Sequence, residues 1–291
     1  MSNHVHPAPP IVLTIAGFDP CGGAGTAADL KTIAAHNCYG IAAVTALTVQ
    51  STQGVKAVHV TPSATLRAQI ETLLEDSTVA AVKIGMLGNR ANAAVVAEMI
   101  ERFTLPNVVL DPVFHSSAGG VELMDAAGVK YLREELLKRV ALVTPNLPEA
   151  ELLLGTEIRD VAAMEAAARL LVERGARAAL VKGGHLDKPV DVLFDGTDVA
   201  KFEGERVRGE NTHGSGCTLS SAIAAQLAQG KNLHDAVLLA KVYVQKAMER
   251  AYPTGKGPGP LNHFFRMQAE SAPRGVHPEE LHPVQVPPAE R

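Results

Sequence analysis

An α/β domain built on a mostly parallel sheet, with helices over both faces, is predicted by three features of the sequence. Short apolar, β-branched runs alternate along the chain with stretches rich in Ala, Leu and Glu, the order that a parallel sheet with crossover helices produces. The runs are continuously apolar rather than alternating with polar residues, which requires burial on both faces. At 291 residues, 46% hydrophobic and 20% charged, the chain can bury a sizeable core, so neither a disordered chain nor a fibrous repeat is compatible with it.

The first strand is expected over 11–16, followed by a glycine cluster and a helix over 27–37. A second strand over 42–49 leads to Thr61-Pro62, a capping hydroxyl ahead of a proline at the first helical position, which opens a helix over 62–76. Strands over 81–84 and 108–110 flank a helix over 90–102, and a helix over 126–137 precedes a strand over 141–143. Asn146 caps a helix over 147–154, and a helix over 161–174 leads to a strand over 178–181. Asp195-Gly196 between the apolar runs 190–194 and 199–202 signals a hairpin, so one antiparallel pair is expected at an edge. Helices over 218–229 and 233–250, the second capped by Asn232, close the unit. With no composition shift and no internal repeat, residues 11–265 are expected to form one domain. Residues 266–291 carry five prolines (Pro273, Pro278, Pro283, Pro287 and Pro288) and few apolar residues, as in a loosely docked tail. His277 and His282 in that tail read as solvated side chains.

Lys and Arg total 27 against 31 Asp and Glu, a net charge of -4. No global field is available to hold nucleic acid or an anionic membrane, so any phosphate must be held locally. The apolar run at 11–16 is too short for a secretory signal or a membrane span. Cys21, Cys38 and Cys217 are odd in number and far apart, matching neither a disulfide framework nor a paired zinc-ligand spacing. A reducing cytoplasm is expected.

Ligands of an open parallel sheet bind outside the carboxyl ends of its strands. There the sequence places Gly17 to Gly25, Gln50, Gly85-Met86, Asp111-Pro112, Thr144-Pro145-Asn146 with Glu149, and Lys182-Gly183-Gly184-His185. Gly22-Gly23-Ala24-Gly25 allows close approach of backbone to ligand but has neither Walker A nor dinucleotide spacing. The most specific segment is Asn211-Thr212-His213-Gly214-Ser215-Gly216-Cys217-Thr218, running into a helix. Its glycines leave backbone N–H groups that, with the helix dipole, form an anion hole. Cys217 stands at the helix start, where a thiol's pKa is expected to fall. Asp111 and Glu149 suit Mg²⁺, which takes one or two carboxylates with phosphate oxygens and water. Zinc finds no closed Cys/His set. Lys182 adds a cation to the same rim, completing the parts that phosphoryl transfer needs.

These segments resemble the hydroxymethylpyrimidine and phosphomethylpyrimidine kinases of thiamine biosynthesis, within the ribokinase-like superfamily. The resemblance is carried by LTIAGFDPCGGAGTAADLKT (13–32), TALTVQ (45–50), VKIGMLG (82–88), VLDPV (109–113), TPNLPEAELL (144–153), VKGGH (181–185) and NTHGSGCTLSSAIAA (211–225). It implies a three-layer α/β/α domain, a homodimer, and Mg-ATP as phosphate donor to the hydroxymethyl group of 4-amino-5-hydroxymethyl-2-methylpyrimidine and then to its monophosphate. It further implies that Gln50 hydrogen-bonds the pyrimidine in a pocket lined by Asp29, Gly17, Ala24, Met86 and Val113. By the same resemblance Gly214 to Cys217, including Gly216, supply the anion hole and Cys217 the base. Asp111 and Glu149 fall on the metal, and Lys182, Asn146 and Thr212 on the ATP. A glutamine amide offers a donor and an acceptor that match a ring nitrogen beside an exocyclic amine. Phe18 and Cys21 stand where the family motif has small hydroxyl residues. Pyridoxal presents a hydroxymethyl group on a flat nitrogen ring too, so a pyridoxal kinase of the same fold is the alternative.

Overall fold

Successive strand residues enter opposite cores, which explains why the strands are apolar throughout. In the computed structural model, which describes residues 8–116, 120–184, 189–207 and 211–270, Leu13, Ile15, Val82, Ile84, Val108 and Leu110 pack on one face. Their neighbours Val12, Ala81 and Val109 pack on the other. The period-2 alternation of strand side chains is therefore present, but both phases are buried.

Nine strands make one sheet, ordered β3-β2-β1-β4-β5-β6-β7-β8-β9. They are β1 (Ile11–Phe18), β2 (Tyr39–Ser51), β3 (Gly54–Val60), β4 (Ala81–Ile84), β5 (Val108–Leu110), β6 (Leu142–Val143), β7 (Ala179–Gly183), β8 (Val190–Phe194) and β9 (Val199–Glu203). The six strands from β2 to β7 in that order pair in parallel. Helices α1 (Gly25–Ala35), α7 (Ser215–Ala228) and α8 (Leu233–Glu249) cover one face. Helices α2 (Ser63–Asp76), α3 (Arg90–Arg102), α4 (Ala126–Tyr131), α5 (Leu147–Leu154) and α6 (Val161–Glu173) lie on the other side, where the second core forms. The order reverses between β2-β1 and β4-β5, the switch point at which open α/β sheets place their ligands.

Several local signals act as the sequence predicts. Asn146 and Glu149 form a reciprocal capping box at α5, and Asn232 caps α8. The Asp195-Gly196 hairpin joins β8 to β9, with Asp195 Oδ1 accepting from the amides of Thr197 and Asp198. Thr61 does not cap α2; the helix begins at Ser63 behind Pro62, and no side chain caps it. The expectation of a single antiparallel pair is also corrected. β8 is antiparallel to both β7 and β9, and β3 pairs antiparallel with β2 at the opposite edge. β3 follows β2 after Thr52-Gln53, with Gly54 at φ 124 completing a tight reversal. The chain past residue 265 continues into a short helix, α9 (Phe265–Glu270). His277, His282 and the five tail prolines lie outside the described residues, as does His185.

Candidate active site

Small residues let α7 approach the centre of the sheet. Ser220, Ser221, Ala222, Ala224 and Ala225 are buried along it. The helix begins at Ser215, three residues earlier than expected, so Gly216 and Cys217 lie inside its first turn. A helix leaves its first-turn amides without intrahelical acceptors. Side chains cap α3, α4, α5, α6 and α8, but none caps α7, as none caps α1 or α2. The amides of Gly216 and Cys217 thus remain available at the positive end of the helix dipole. Gly214 is required by the backbone, since it stands at φ +81 and a Cβ there would fall 1.8 Å from the Gly23 carbonyl oxygen.

Opposite these amides are the groups delivered by β5, β7 and α5. Lys182 Nζ lies 2.7 Å from Asp111 Oδ1, which also accepts from the Thr144 hydroxyl at 3.2 Å. A Cβ on Gly216 would lie 3.3 Å from Lys182 Nζ and 3.5 Å from Asp111 Oδ2, so the glycine keeps open the approach to both. Glu149 Oε2 accepts from the Asn146 amide at 2.8 Å. Burial pushes its carboxyl up to about 7; Lys182 opposes the shift and Asp111 adds to it. Two carboxylates and one ammonium converge here; the carboxylates would hold a divalent cation, and the ammonium suits phosphate oxygens.

The second wall is the β1–α1 loop. Asp19 accepts from the amides of Cys21, Gly23 and Ala24, from the Cys21 thiol at 3.2 Å, and pairs with His213 Nε2 at 2.9 Å. Although burial acts to raise its pKa, the bonds from His213 and Cys21 prevail and hold the carboxyl low. Gln50 Nε2 lies 3.2 Å from the same imidazole nitrogen, and Gln50 Oε1 accepts from Thr48. The cavity enclosed by these walls measures about 1020 Å³.

Gly17, Ala24, Gln50, Met86, Asp111, Val113, Asn146, Glu149, Lys182, Thr212, Gly214, Gly216 and Cys217 all line that one cavity. Asp29 does not line it. Its carboxylate is fully buried beneath the floor, bound by Lys83 Nζ at 2.8 and 3.0 Å, by the Thr14 hydroxyl at 2.6 Å and by the Ser221 hydroxyl at 2.8 Å. With both oxygens engaged, it cannot line a substrate pocket. The expected fall in the Cys217 pKa is likewise corrected. Burial pushes the thiol up to about 11; Lys83 works against this, Asp29 and Asp111 add to it, and the Gly25 amide opposes it. Desolvation is the largest of these effects.

Sequence reasoning placed Asp19 and His213 in segments at the rim without giving either a role, and passed over Lys83 and the pair formed by Lys241 and Asp191 in the cavity wall. Lys83 left a signal, a charge inside the apolar run AVKI, because a buried ammonium needs a partner. Asp19 sits in a glycine-rich turn, where a carboxylate organises backbone amides. The partnership of His213 with Asp19 spans 194 positions and leaves no local trace.

Comparison with known proteins bears on this cavity. Residues 19–262 match the family model described as phosphomethylpyrimidine kinase. The hydroxymethylpyrimidine/phosphomethylpyrimidine kinase of Aquifex aeolicus is 41% identical over 85% of this chain and 97% of its own. The thiamine biosynthesis bifunctional protein ThiED of Geobacter sulfurreducens is 45% identical over 87% of this chain, which spans only 52% of that relative's length. Among solved structures, an ADP complex of Bacillus subtilis pyridoxal kinase superposes with a TM-score of 0.81 at 35% identity, covering 88% of this chain and 98% of that one.

Proposed function

The chain belongs to the phosphomethylpyrimidine kinase family, and from that premise we propose how its cavity works. It transfers the γ-phosphoryl group of ATP to the hydroxymethyl group of 4-amino-5-hydroxymethyl-2-methylpyrimidine, then phosphorylates the monophosphate to the diphosphate, as thiamine biosynthesis requires. The observation that carries this reading is the convergence of the uncapped first turn of α7, Asp111 with Lys182, and Cys217 on one cavity. Phosphoryl transfer asks chiefly for positioning and electrostatic stabilisation of an in-line transfer. The amides of Gly216 and Cys217 hold the transferred group. Lys182 bridges the phosphates, and Asn146 and Thr212 line the nucleotide side. Asp111 and Glu149 would hold Mg²⁺, which when bound neutralises charge on the β- and γ-phosphates. Gln50 reads the aminopyrimidine edge, with Gly17, Ala24, Met86 and Val113 around the ring. Cys217, in its ionised form, takes the hydroxyl proton.

One domain over 11–265 carries this chemistry. Exposed Tyr39, Leu47 and Val49 on β2, at 60%, 55% and 48%, support a homodimer through that face of the strand, which light scattering checks. Among the described residues no helix is long and apolar enough to cross a membrane, and three free thiols support a reducing cytoplasm.

The test is ADP release with each candidate alcohol, in the parent and in Gln50→Met. The pyrimidine is the expected preferred substrate. Losing a buried polar partner costs ~1–3 kcal/mol, or about 5–150-fold in affinity. The variant should lose that much in kcat/KM on the pyrimidine and much less on pyridoxal, which lacks the exocyclic amine. A parent that prefers pyridoxal would favour the alternative supported by the pyridoxal kinase neighbour. Equal losses on both alcohols would remove Gln50 from the recognition of the ring.

A further inference from the structure

We propose that Asp19, Cys21 and His213 form a second metal site, for a zinc-type divalent ion, at the substrate end of the cavity. Asp19 Oδ2, Cys21 Sγ and His213 Nε2 lie within 4.8 Å of one another. The sulfur is 3.2 Å and the imidazole nitrogen 2.9 Å from the same carboxylate oxygen. A tetrahedral ion with bonds of about 2.3 Å to sulfur and about 2.0 Å to nitrogen and oxygen sets S···O and N···O separations of roughly 3.5 and 3.3 Å. Those two separations need movements of only a few tenths of an ångström, and Sγ and Nε2, within 4.8 Å of each other, close to roughly 3.5 Å around the ion.

The same oxygen now receives four donors: Cys21 Sγ, His213 Nε2 and the amides of Gly23 and Ala24. The ion replaces two of them. The thiol releases its proton to solvent, and the His213 proton now on Nε2 is exchanged through solvent for one on Nδ1, which frees the Nε2 lone pair for the ion. No electron is transferred. Thiolate and imidazole select zinc or cobalt over magnesium, whereas the all-oxygen pair of Asp111 and Glu149 suits magnesium. Two metals of different hardness are thus assigned to opposite walls of one cavity.

No sequence spacing announces this site, because His213 arrives from the loop ahead of α7 while Asp19 and Cys21 come from the β1–α1 loop. Three protein ligands leave a fourth position open. It faces the cavity, since Asp19 and His213 line it and the Gln50 amide lies 3.2 Å from His213 Nε2. An ion there removes the contact between Gln50 and His213 and occupies the space beside the pyrimidine edge. Zinc is then a competitive inhibitor against the alcohol, a consequence that rests on the reading of the cavity given above.

The experiment uses the full chain without nucleotide, titrated with ZnCl₂ by calorimetry and with CoCl₂ by absorption. One equivalent should bind, and the cobalt form should show a thiolate-to-metal charge-transfer band. Partners that merely orient ligands contribute about 10–100-fold to metal affinity, so Cys21→Ser, which loses a direct ligand, should weaken binding by ~100-fold or more and abolish the band. His213→Asn leaves the thiol in place and should weaken binding as well. Unchanged affinity in Cys21→Ser, or a band that vanishes in Cys217→Ser instead, would overturn the site. Missing pyrimidine kinase activity in metal-stripped protein supplied with Mg-ATP would count against the functional reading alone.

Discussion

At Gly216 the missing side chain serves the chemistry, since the backbone there is not left-handed and a Cβ would lie no closer than 3.3 Å to another atom. A larger residue fits the helix but points at Lys182 and Asp111, where the phosphoryl group must pass. Gly216→Val should therefore fold and lose at least ~10²-fold in turnover, the scale of losing one anion-hole donor; steady-state kinetics beside a thermal melt checks both. Near-parent turnover in the folded variant would remove the first turn of α7 from the mechanism. Cys217 makes a prediction of a different kind. A thiol pushed up to about 11 is protonated at neutral pH, and its thiolate fraction grows about tenfold per pH unit below that value. If the thiolate takes the hydroxyl proton, log kcat should climb with a slope near one from about pH 7 to 9. Cys217→Ala should lose the slope and ~10²-fold in rate, within the usual contribution of a positioned base. Cys217→Asp should restore turnover with a flat profile. A parent profile already flat over this range would assign the proton to another acceptor.

At the scale of elements, the segment after α8 ties α7 and α8 together through one histidine. His263 Nε2 lies 3.2 Å from the Thr218 hydroxyl of α7, and the Tyr243 hydroxyl of α8 donates to the His263 carbonyl. Burial pulls the imidazole down to about 4, with Lys31 contributing. An exposed histidine titrates near 6.5, so between these values the unfolded chain binds the proton and the folded one does not. Stability is full above about 6.5 and falls as pH drops toward 4, by up to ~3 kcal/mol at ~1.36 kcal/mol per unit. Buried His36, whose pKa is also lowered by burial, acts with the same sign. Glu149 acts oppositely, because its folded-state pKa is raised to about 7 and the folded chain takes up its proton first. The difference between parent and variant isolates the histidine: urea midpoints at pH 7 and 5 should shift less in His263→Gln than in the parent. Identical shifts would show that His263 is protonated in the folded state. Element boundaries teach the same lesson. The three extra residues at the start of α7 put Gly216 and Cys217 into a helical turn, and this came from the fit of its small residues against the sheet, not from propensity.

For the whole molecule, the pair of Lys83 and Asp29 links the centre of the sheet to α1 and α7. Burial opposes the charge on Lys83, yet Asp29, with Cys217 and Asp111, raises its pKa well above the ordinary value. Thr14 of β1, Ser221 of α7 and Lys83 of β4 all bond to Asp29 of α1, so one carboxylate connects four elements. Breaking a buried pair from one side costs about 3–5 kcal/mol, whereas replacing both partners is far milder. Lys83→Met should lower the unfolding free energy by that amount, and Lys83→Met with Asp29→Leu should recover part of it; denaturant unfolding measures both. A single variant as stable as the parent would show that the pair contributes nothing net.

The amino-acid sequence alone determined the three-layer α/β/α class, the six parallel strands, the hairpin, the caps at Asn146 and Asn232, and the rim carrying Gln50, Asp111, Glu149, Lys182 and Cys217. These follow from local causes: periodicity, turn chemistry and the rule that strand ends in a parallel sheet share one edge. The family resemblance, spread over most of the chain, extended that rim to a reaction. β3 was passed over although Thr52-Gln53-Gly54 and the run behind it carried a local hairpin signal. Tertiary structure alone decided the rest. It turned Asp29 away from the cavity toward Lys83, raised the Cys217 thiol instead of lowering it, and brought His213 to Asp19 and Cys21. Burial, charge pairing and desolvation depend on which groups meet in space, and residues 54 or 194 positions apart meet only after the sheet has assembled.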